Sequence, residues 1–140
     1  MSAPPQLAHH ELCFGCGNAN LFGLQMELEQ AGGGPASVTG RFFVKQDHQG
    51  PEGVAHGGIL ASALDEAMAI ALHAEGVHAR TRRLEVDLLA AAPVGAFLRV
   101  DARVERREPG KLWLSASARG VGEGARTVAE ARGLFVELAG

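Results

Sequence analysis

Two carboxylates interrupt an otherwise apolar segment near the middle of the chain. Asp65 and Glu66 lie in ILASALDEAMAIAL (59–72), where Ser62 is the only other polar residue. A helix that is apolar on nearly every side is normally buried, and a buried carboxylate is normally paired, hydrogen-bonded or directed into a cleft. Ser62, Asp65 and Glu66 are three and four positions apart, on one narrow helix face. This face is either the solvent edge of the helix, continued by His73, or the wall of a site that uses an acid.

The sequence HGG (56–58) lies where a glycine-bearing loop becomes this helix. The first turn of a helix offers free backbone N–H groups and the positive end of the helix dipole. Glycine lets a ligand oxygen approach that backbone, so Gly57 and Gly58 are candidates for polarising a carbonyl and holding the oxyanion formed on attack. A glycine-rich helix start would equally suit a phosphate or a simple turn.

The spacing between the two candidate groups constrains how they act together. Gly57 and Asp65 are eight residues apart, about 12 Å along a helix at about 1.5 Å per residue. A catalytic acid or base must come within about 3 Å of its target, so one chain cannot easily bring both groups to one carbonyl. We predict that, if the site is catalytic, two antiparallel helices of an obligate dimer place Asp65 of one chain near Gly57 of the other.

The two cysteines, Cys13 and Cys16, form a single C-x-x-C in CFGCGNAN. A thioredoxin-type redox pair would need a βαβ setting, which the flanking sequence lacks. A structural zinc needs four ligands, and His9 and His10 could complete such a set. Because no second C-x-x-C or paired histidine motif follows, we favour a loop with reduced cysteines and no metal.

Composition narrows the class of protein. The 140 residues are 46% hydrophobic and 21% charged, with a net charge of −3, which is typical of a globular domain and argues against a nucleic-acid binder. We predict one domain over 1–140, with a loose N-terminal arm over 1–12. The N-terminus does not resemble a signal peptide, and the longest apolar segment is too short to span a bilayer. We therefore expect a cytoplasmic protein that does not enter membranes.

The elements that must position these groups follow from hydrophobic periodicity. A helix is predicted from about Gly58 to Ala74, with Gly76 as its stop, and AGGGP (31–35) as a turn between the first two strands. The predicted strands are 24–30, 36–45, 81–90, 96–108, 112–122 and 125–140. One apolar helix and about six strands give an α+β domain in which an antiparallel sheet wraps around the helix. The open edges of such a sheet predict pairing with another copy of the chain.

Several segments resemble a known family. HQGPEGVAHGGILASALDEAMAIAL, CFGCGNANLFGLQMELE and TRRLEVDLLAAAPVG are similar to the hotdog-fold acyl-CoA thioesterases, in particular the phenylacetate-pathway thioesterase-like clade. The resemblance covers roughly residues 12–138. It implies a hotdog fold, a dimer that often pairs into a tetramer, no cofactor, and hydrolysis of an acyl-CoA thioester to a free acid and CoA.

The resemblance also implies roles for individual residues. The Gly57 amide polarises the thioester carbonyl, Asp65 of the opposite subunit acts as general base or nucleophile, and Thr81 orients the water. Asp65 is preferred over Glu66 because its spacing from HGG matches the family. His48 stands in the loop where some relatives have a helpful Asn.

The remaining candidates are assigned to substrate binding. They are His56, Gly58, His48, Ser62, Glu66 and the basic cluster of Arg80, Arg82 and Arg83. His56 is interpreted as a support of the loop rather than a base, and Ser62 lacks the G-x-S-x-G context of a nucleophile. The basic cluster either binds phosphates of CoA or is a solvated strand edge. Two other functions stay open: a non-catalytic acyl-CoA-binding hotdog protein, and a hotdog dehydratase or hydratase.

Overall fold

The computed structural model describes residues 6–32, 36–122 and 124–138. Within these ranges one helix, α1 (Gly57–His73), packs against one antiparallel sheet. The strands are β1 (Glu27–Gln30), β2 (Ser37–Phe43), β3 (Ala79–Leu88), β4 (Phe97–Glu108), β5 (Lys111–Gly120) and β6 (Thr127–Glu137). The predicted α+β architecture is confirmed.

The sheet has the strand order β1-β2-β4-β5-β6-β3, and α1 contacts all six strands. Alternate residues of β4 and β5 face the helix, among them Leu98, Val100, Leu112 and Leu114, each at most 2% exposed. Because side chains of a strand alternate between the two faces, this pattern gives the sheet one apolar face for α1 and one polar face. The core therefore lies between the helix and the sheet.

Helix α1 is apolar on most of its circumference because it is covered on most sides. Leu64, Met68 and Ile70 are fully buried, and Gly133 of β6 leaves room for the Met68 side chain. The helix ends at His73, one residue before the predicted end, and Gly76 follows with a φ of +76°. Glycine adopts that left-handed conformation without strain, which explains its place after the helix.

The six predicted strands are present in the predicted order along the chain, and their ends differ from the predicted ones by up to three residues. The first strand begins at Glu27 rather than Leu24, because Gln25 has a φ of 48°, outside the extended region that a strand requires. The predicted turn 31–35 falls partly on residues 33–35, which lie outside the described residues. The predicted loop before α1 contains a short 3₁₀ turn, Gln46–His48.

The N-terminal segment lies against the sheet and the helix. Residues 1–5 of the predicted arm are outside the described residues. The backbone N–H of Leu7 donates to Leu28 O at 2.7 Å, and the His9 ring packs edge-on against His73 with 4.8 Å between centroids. No helix in the described ranges is long and apolar enough to cross a bilayer.

Candidate active site

The start of α1 presents one backbone N–H without a protein partner. His56 is the N-cap residue, and its Nδ1 accepts a hydrogen bond from the Gly58 N–H at 2.8 Å. The N–H groups of Ile59 and Leu60 both donate to His56 O. Among the described residues, the Gly57 N–H has no acceptor. His56 thus supports the helix start, and Gly57 retains the donor that a carbonyl or oxyanion requires.

The carboxylate of Asp65 is held by a single hydroxyl. Thr81 Oγ1, on β3, donates to Asp65 Oδ1 at 2.6 Å. Burial raises the pKa of Asp65 above its ordinary value, the hydrogen bond from Thr81 lowers it, and the nearby charge of Glu66 raises it further. The net effect is a raised pKa, as expected for a carboxylate that is partly shielded from water.

A β-bulge turns Thr81 towards α1. The register of β3 against β6 shifts between Thr81 and Arg83. Ala79 and Thr81 are half-buried before the shift, and Leu84 and Val86 after it, so the inward face passes from odd to even positions. Without this irregularity Thr81 would share the outward face with Arg83 and Glu85, because side chains alternate strictly in a regular strand.

The two acids of α1 point to different parts of the molecule. Glu66 Oε2 lies 2.9 Å from His9 Nδ1 and accepts from the Cys13 thiol at 3.6 Å. The hydrogen bond to Glu66 raises the pKa of His9 to about 9. Glu66 therefore faces the N-terminal loop, whereas Asp65 faces β3.

The other predicted site residues are scattered around this region. Ser62 Oγ donates to Gly58 O at 2.8 Å, within the helix. His48 is only 2% exposed, with Nε2 3.4 Å from Phe22 O and its backbone oxygen accepting from the His56 N–H. The side chains of Arg80, Arg82 and Arg83 are exposed on β3, and Arg83 forms an ion pair with Glu85. The geometry directly joins Asp65 to Thr81, and His56 to Gly58.

Comparison with known proteins identifies the fold family. The sequence model of the Thioesterase superfamily matches residues 52–108. A crystal structure of a thioesterase superfamily protein superposes with a TM-score of 0.81 at 23% identity, covering 90% of this chain and 60% of that one. The chain has the hotdog fold, and its residues 52–108 are similar to the Thioesterase superfamily. The predicted resemblance to thioesterases and the predicted hotdog fold are thereby confirmed.

Two further proteins are similar to this chain. The PaaI protein of E. coli, from the phenylacetic acid degradation operon, superposes with a TM-score of 0.73 at 21% identity, covering 88% of this chain and 85% of PaaI. Acyl-coenzyme A thioesterase THEM5 of Mus musculus is 33% identical over 91 residues, which are 64% of this chain and 36% of THEM5. The chain thus spans about a third of the length of its curated relative.

Two features of this region were not predicted from the sequence. Leu88 lies at the start of α1, where a Cβ on Gly57 would be 2.7 Å from Leu88 Cδ1. Cys13 and Cys16 lie beside Glu66, together with His9. The C-x-x-C and the nearby histidine were visible in the sequence, but no local pattern connects them to an acid fifty residues further along the chain.

Proposed function

We propose that the protein hydrolyses an acyl-CoA thioester to a free acid and CoA. The observation that carries this proposal is the Asp65 carboxylate bound to the Thr81 hydroxyl, on the same helix whose first amide, Gly57, is free to donate. A base of raised pKa and an oxyanion donor are the two groups that attack on a thioester requires. The similarity to an acyl-coenzyme A thioesterase supports the choice of substrate.

The chemistry assigns one task to each group. The Gly57 N–H polarises the thioester carbonyl, and Asp65 takes a proton from the water that attacks the carbonyl carbon. The Gly57 N–H then stabilises the oxyanion of the tetrahedral intermediate. When the C–S bond breaks, the protonated Asp65 returns its proton to the CoA sulfur, so that acid and thiol leave and the carboxylate is regenerated.

The separation of Gly57 and Asp65 along α1 requires two subunits for this chemistry. Both residues lie on one continuous helix, about 12 Å apart at about 1.5 Å per residue. Support for a dimer comes from β3, an edge strand that pairs only with β6 among the described strands. At its end Leu88 and Leu89 are each 55% exposed, as expected of a surface that a second copy covers.

Pairing of β3 with its copy would place the helices of two chains side by side. Gly57 of one chain would then lie opposite Asp65 of the partner subunit.

The exposed guanidinium groups of Arg80, Arg82 and Arg83 on β3 are suited to the phosphates of CoA. Tetramer formation, a cytoplasmic location and a single domain over 1–140 stay predictions.

The test is thiol release from a panel of short, long and aryl acyl-CoAs, followed by subunit mixing. Asp65→Asn removes the base, and Gly57→Pro removes the amide N–H. After random reassociation of the two inactive variants, about half of the dimers are mixed, and each holds one intact site if the site is shared. We expect about a quarter of the wild-type activity to return.

The possible outcomes separate the alternatives. No recovery on mixing, with mixed dimers demonstrated by mass spectrometry, would contradict the shared site. Binding of several acyl-CoAs without thiol release would favour a binding protein. Conversion of an enoyl-CoA without thiol release would favour a hydratase.

A further inference from the structure

Four side chains capable of binding a metal converge beside α1. They are His9, Cys13, Cys16 and Glu66, and one ligand atom of each lies within 4.8 Å of all the others. Three come from the N-terminal loop and the fourth from the middle of the helix. Neither cysteine forms a disulfide. The predicted thioester chemistry uses none of these three loop residues.

Several of the distances between the ligand atoms match those of a tetrahedral metal site. His9 Nδ1 lies 2.9 Å from Glu66 Oε2, 3.7 Å from Cys13 Sγ and 3.6 Å from Cys16 Sγ. Cys13 Sγ lies 3.6 Å from Glu66 Oε2. Metal–ligand bonds of about 2.0–2.3 Å in a tetrahedron require ligand atoms about 3.3–3.8 Å apart. Three of these four distances lie in that range. An ion would require the 2.9 Å contact to lengthen and any pair near the 4.8 Å limit of the cluster to close.

The surrounding backbone holds the loop in this arrangement. The Gly17 N–H donates to Cys13 O at 2.9 Å, closing a tight turn, and the His9 N–H points at Cys16 Sγ at 3.1 Å. Amide donation of this kind stabilises a thiolate ligand. A Cβ on Gly15, between the cysteines, would be 2.2 Å from Glu66 Cγ. Glycine at this position lets the loop approach the acid.

The chemistry of the four atoms selects the metal. Two thiolates and an imidazole favour Zn²⁺ over Mg²⁺ or Ca²⁺, which prefer oxygen ligands. Four protein ligands leave no open position for water, which is typical of a structural zinc rather than a catalytic one. Cys16 is 1% exposed, which also excludes substrate from that ligand.

We propose that His9, Cys13, Cys16 and Glu66 bind one structural Zn²⁺ that fastens the N-terminal loop to α1, one residue from Asp65. The sequence alone favoured a loop without metal, because no second C-x-x-C or paired histidine motif follows the two cysteines. Folding supplies Glu66 as the fourth. The alternative is a metal-free network in which Glu66 pairs with a protonated His9 and the thiols fill the remaining space.

The first test is metal analysis of the full chain, purified without a histidine tag. We expect about one zinc per chain by elemental mass spectrometry. After chelation under reducing conditions, added Co²⁺ should give the visible bands of a tetrahedral ion and a thiolate charge-transfer band in the near ultraviolet. If the reduced protein, with both thiols verified, binds neither Zn²⁺ nor Co²⁺, the metal-free network is correct.

The second test compares neighbouring histidines. His9→Asn should weaken Zn²⁺ binding at least about a hundredfold, since even an outer-shell change costs about ten- to a hundredfold. His10→Asn is the matched control and should bind Zn²⁺ like the wild type. Equal loss in both variants, or no loss in either, would contradict the ligand set. If His9→Asn fails to fold, the Co²⁺ spectrum of the wild type still decides, because it reports two thiolates in a tetrahedral field or it does not.

Discussion

Asp65 and Glu66 are adjacent in α1, yet their surroundings differ. Asp65 has one hydrogen-bond partner, whereas Glu66 has several close contacts. Asp65 accepts one hydrogen bond, from Thr81. Glu66 contacts His9 and Cys13 and is packed against Gly15. Successive residues of a helix are rotated by about 100° around its axis, so two adjacent side chains can contact different elements of the fold. One turn of α1 thus directs two adjacent acids into different surroundings.

The difference has an energetic consequence. Burial raises the pKa of Asp65, so the folded protein holds this carboxylate in an unfavourable charged state unless it gains further partners. Glu66 already has close partners, because His9 Nδ1 lies 2.9 Å and the Cys13 thiol 3.6 Å from its Oε2. A carboxylate with a raised pKa and few partners is suited to proton transfer, and a carboxylate with several polar partners is suited to a structural role.

Among all the substitutions at the two acids and their partners, replacing Asp65 should have the largest effect on kcat. Asp65→Asn should lower kcat for acyl-CoA hydrolysis by about 10³-fold, because a positioned base contributes about 10²–10⁴-fold. The fold should persist, since a neutral amide is easier to bury than a carboxylate. Rates of thiol release and the melting temperature are the measurements. Asp101→Asn, on the opposite face of the sheet, is the control and should hydrolyse at the wild-type rate.

Removing the Gly57 amide hydrogen should have the next largest effect. Proline is well accepted at the first position of a helix, and His56 already has the extended conformation, φ −62° and ψ 139°, that precedes proline. Gly57→Pro should therefore fold and lower kcat by about 10²–10³-fold through loss of one oxyanion donor.

Gly57→Ala is the matched control for this prediction. It adds a side chain at the same place, where the half-exposed Leu88 must move, but it keeps the N–H. Alanine should therefore retain most of the kcat. Equal losses in the proline and alanine variants would show that space, not the hydrogen-bond donor, matters at this position.

The contacts of Asp65 and of Glu66 differ in how far the sequence predicts them. The succession of strands along the chain, the helix and the candidate pair Gly57 and Asp65 follow from periodicity, spacing and resemblance. The partner of Asp65 is less accessible to such reasoning, because regular alternation from Leu84 and Val86 would turn Thr81 outward. A bulge depends on pairing with β6, which the local sequence of β3 does not encode.

The surroundings of Glu66 were harder still to predict. Its partners are separated from it by fifty or more residues, and the contact depends on how the N-terminal loop crosses α1. The sequence predicted a loose arm over residues 1–12, whereas His9 packs on both Glu66 and His73. Only a tertiary contact distinguishes a loop glycine such as Gly15 from any other.

The close approach of the loop to Glu66 predicts a stability effect. Gly15→Ala should destabilise the protein by about 1–3 kcal/mol, the usual cost of inserting a methyl group into a packed site. Gly32→Ala is the control, because among the described residues a Cβ there meets nothing within 4 Å, and its effect should stay within about 0.5 kcal/mol. Urea denaturation measures both. Similar stability of the two variants would contradict a tight contact between the loop and α1.

The smallest expected effect concerns the one hydrogen bond that restrains Asp65. Thr81→Val keeps the shape of the side chain and removes the donor, leaving the carboxylate without its 2.6 Å partner. We expect kcat to fall about tenfold, equivalent to about 1.4 kcal/mol, because the base is then misoriented but still present. Thr81→Ser restores a hydroxyl and should recover most of the rate. Since valine and threonine have nearly the same volume, a slow valine variant with a rapid serine variant would assign the effect to the hydroxyl. Equal rates in all three proteins would instead mean that the bulge in β3 serves packing, and that Asp65 is oriented by the partner subunit.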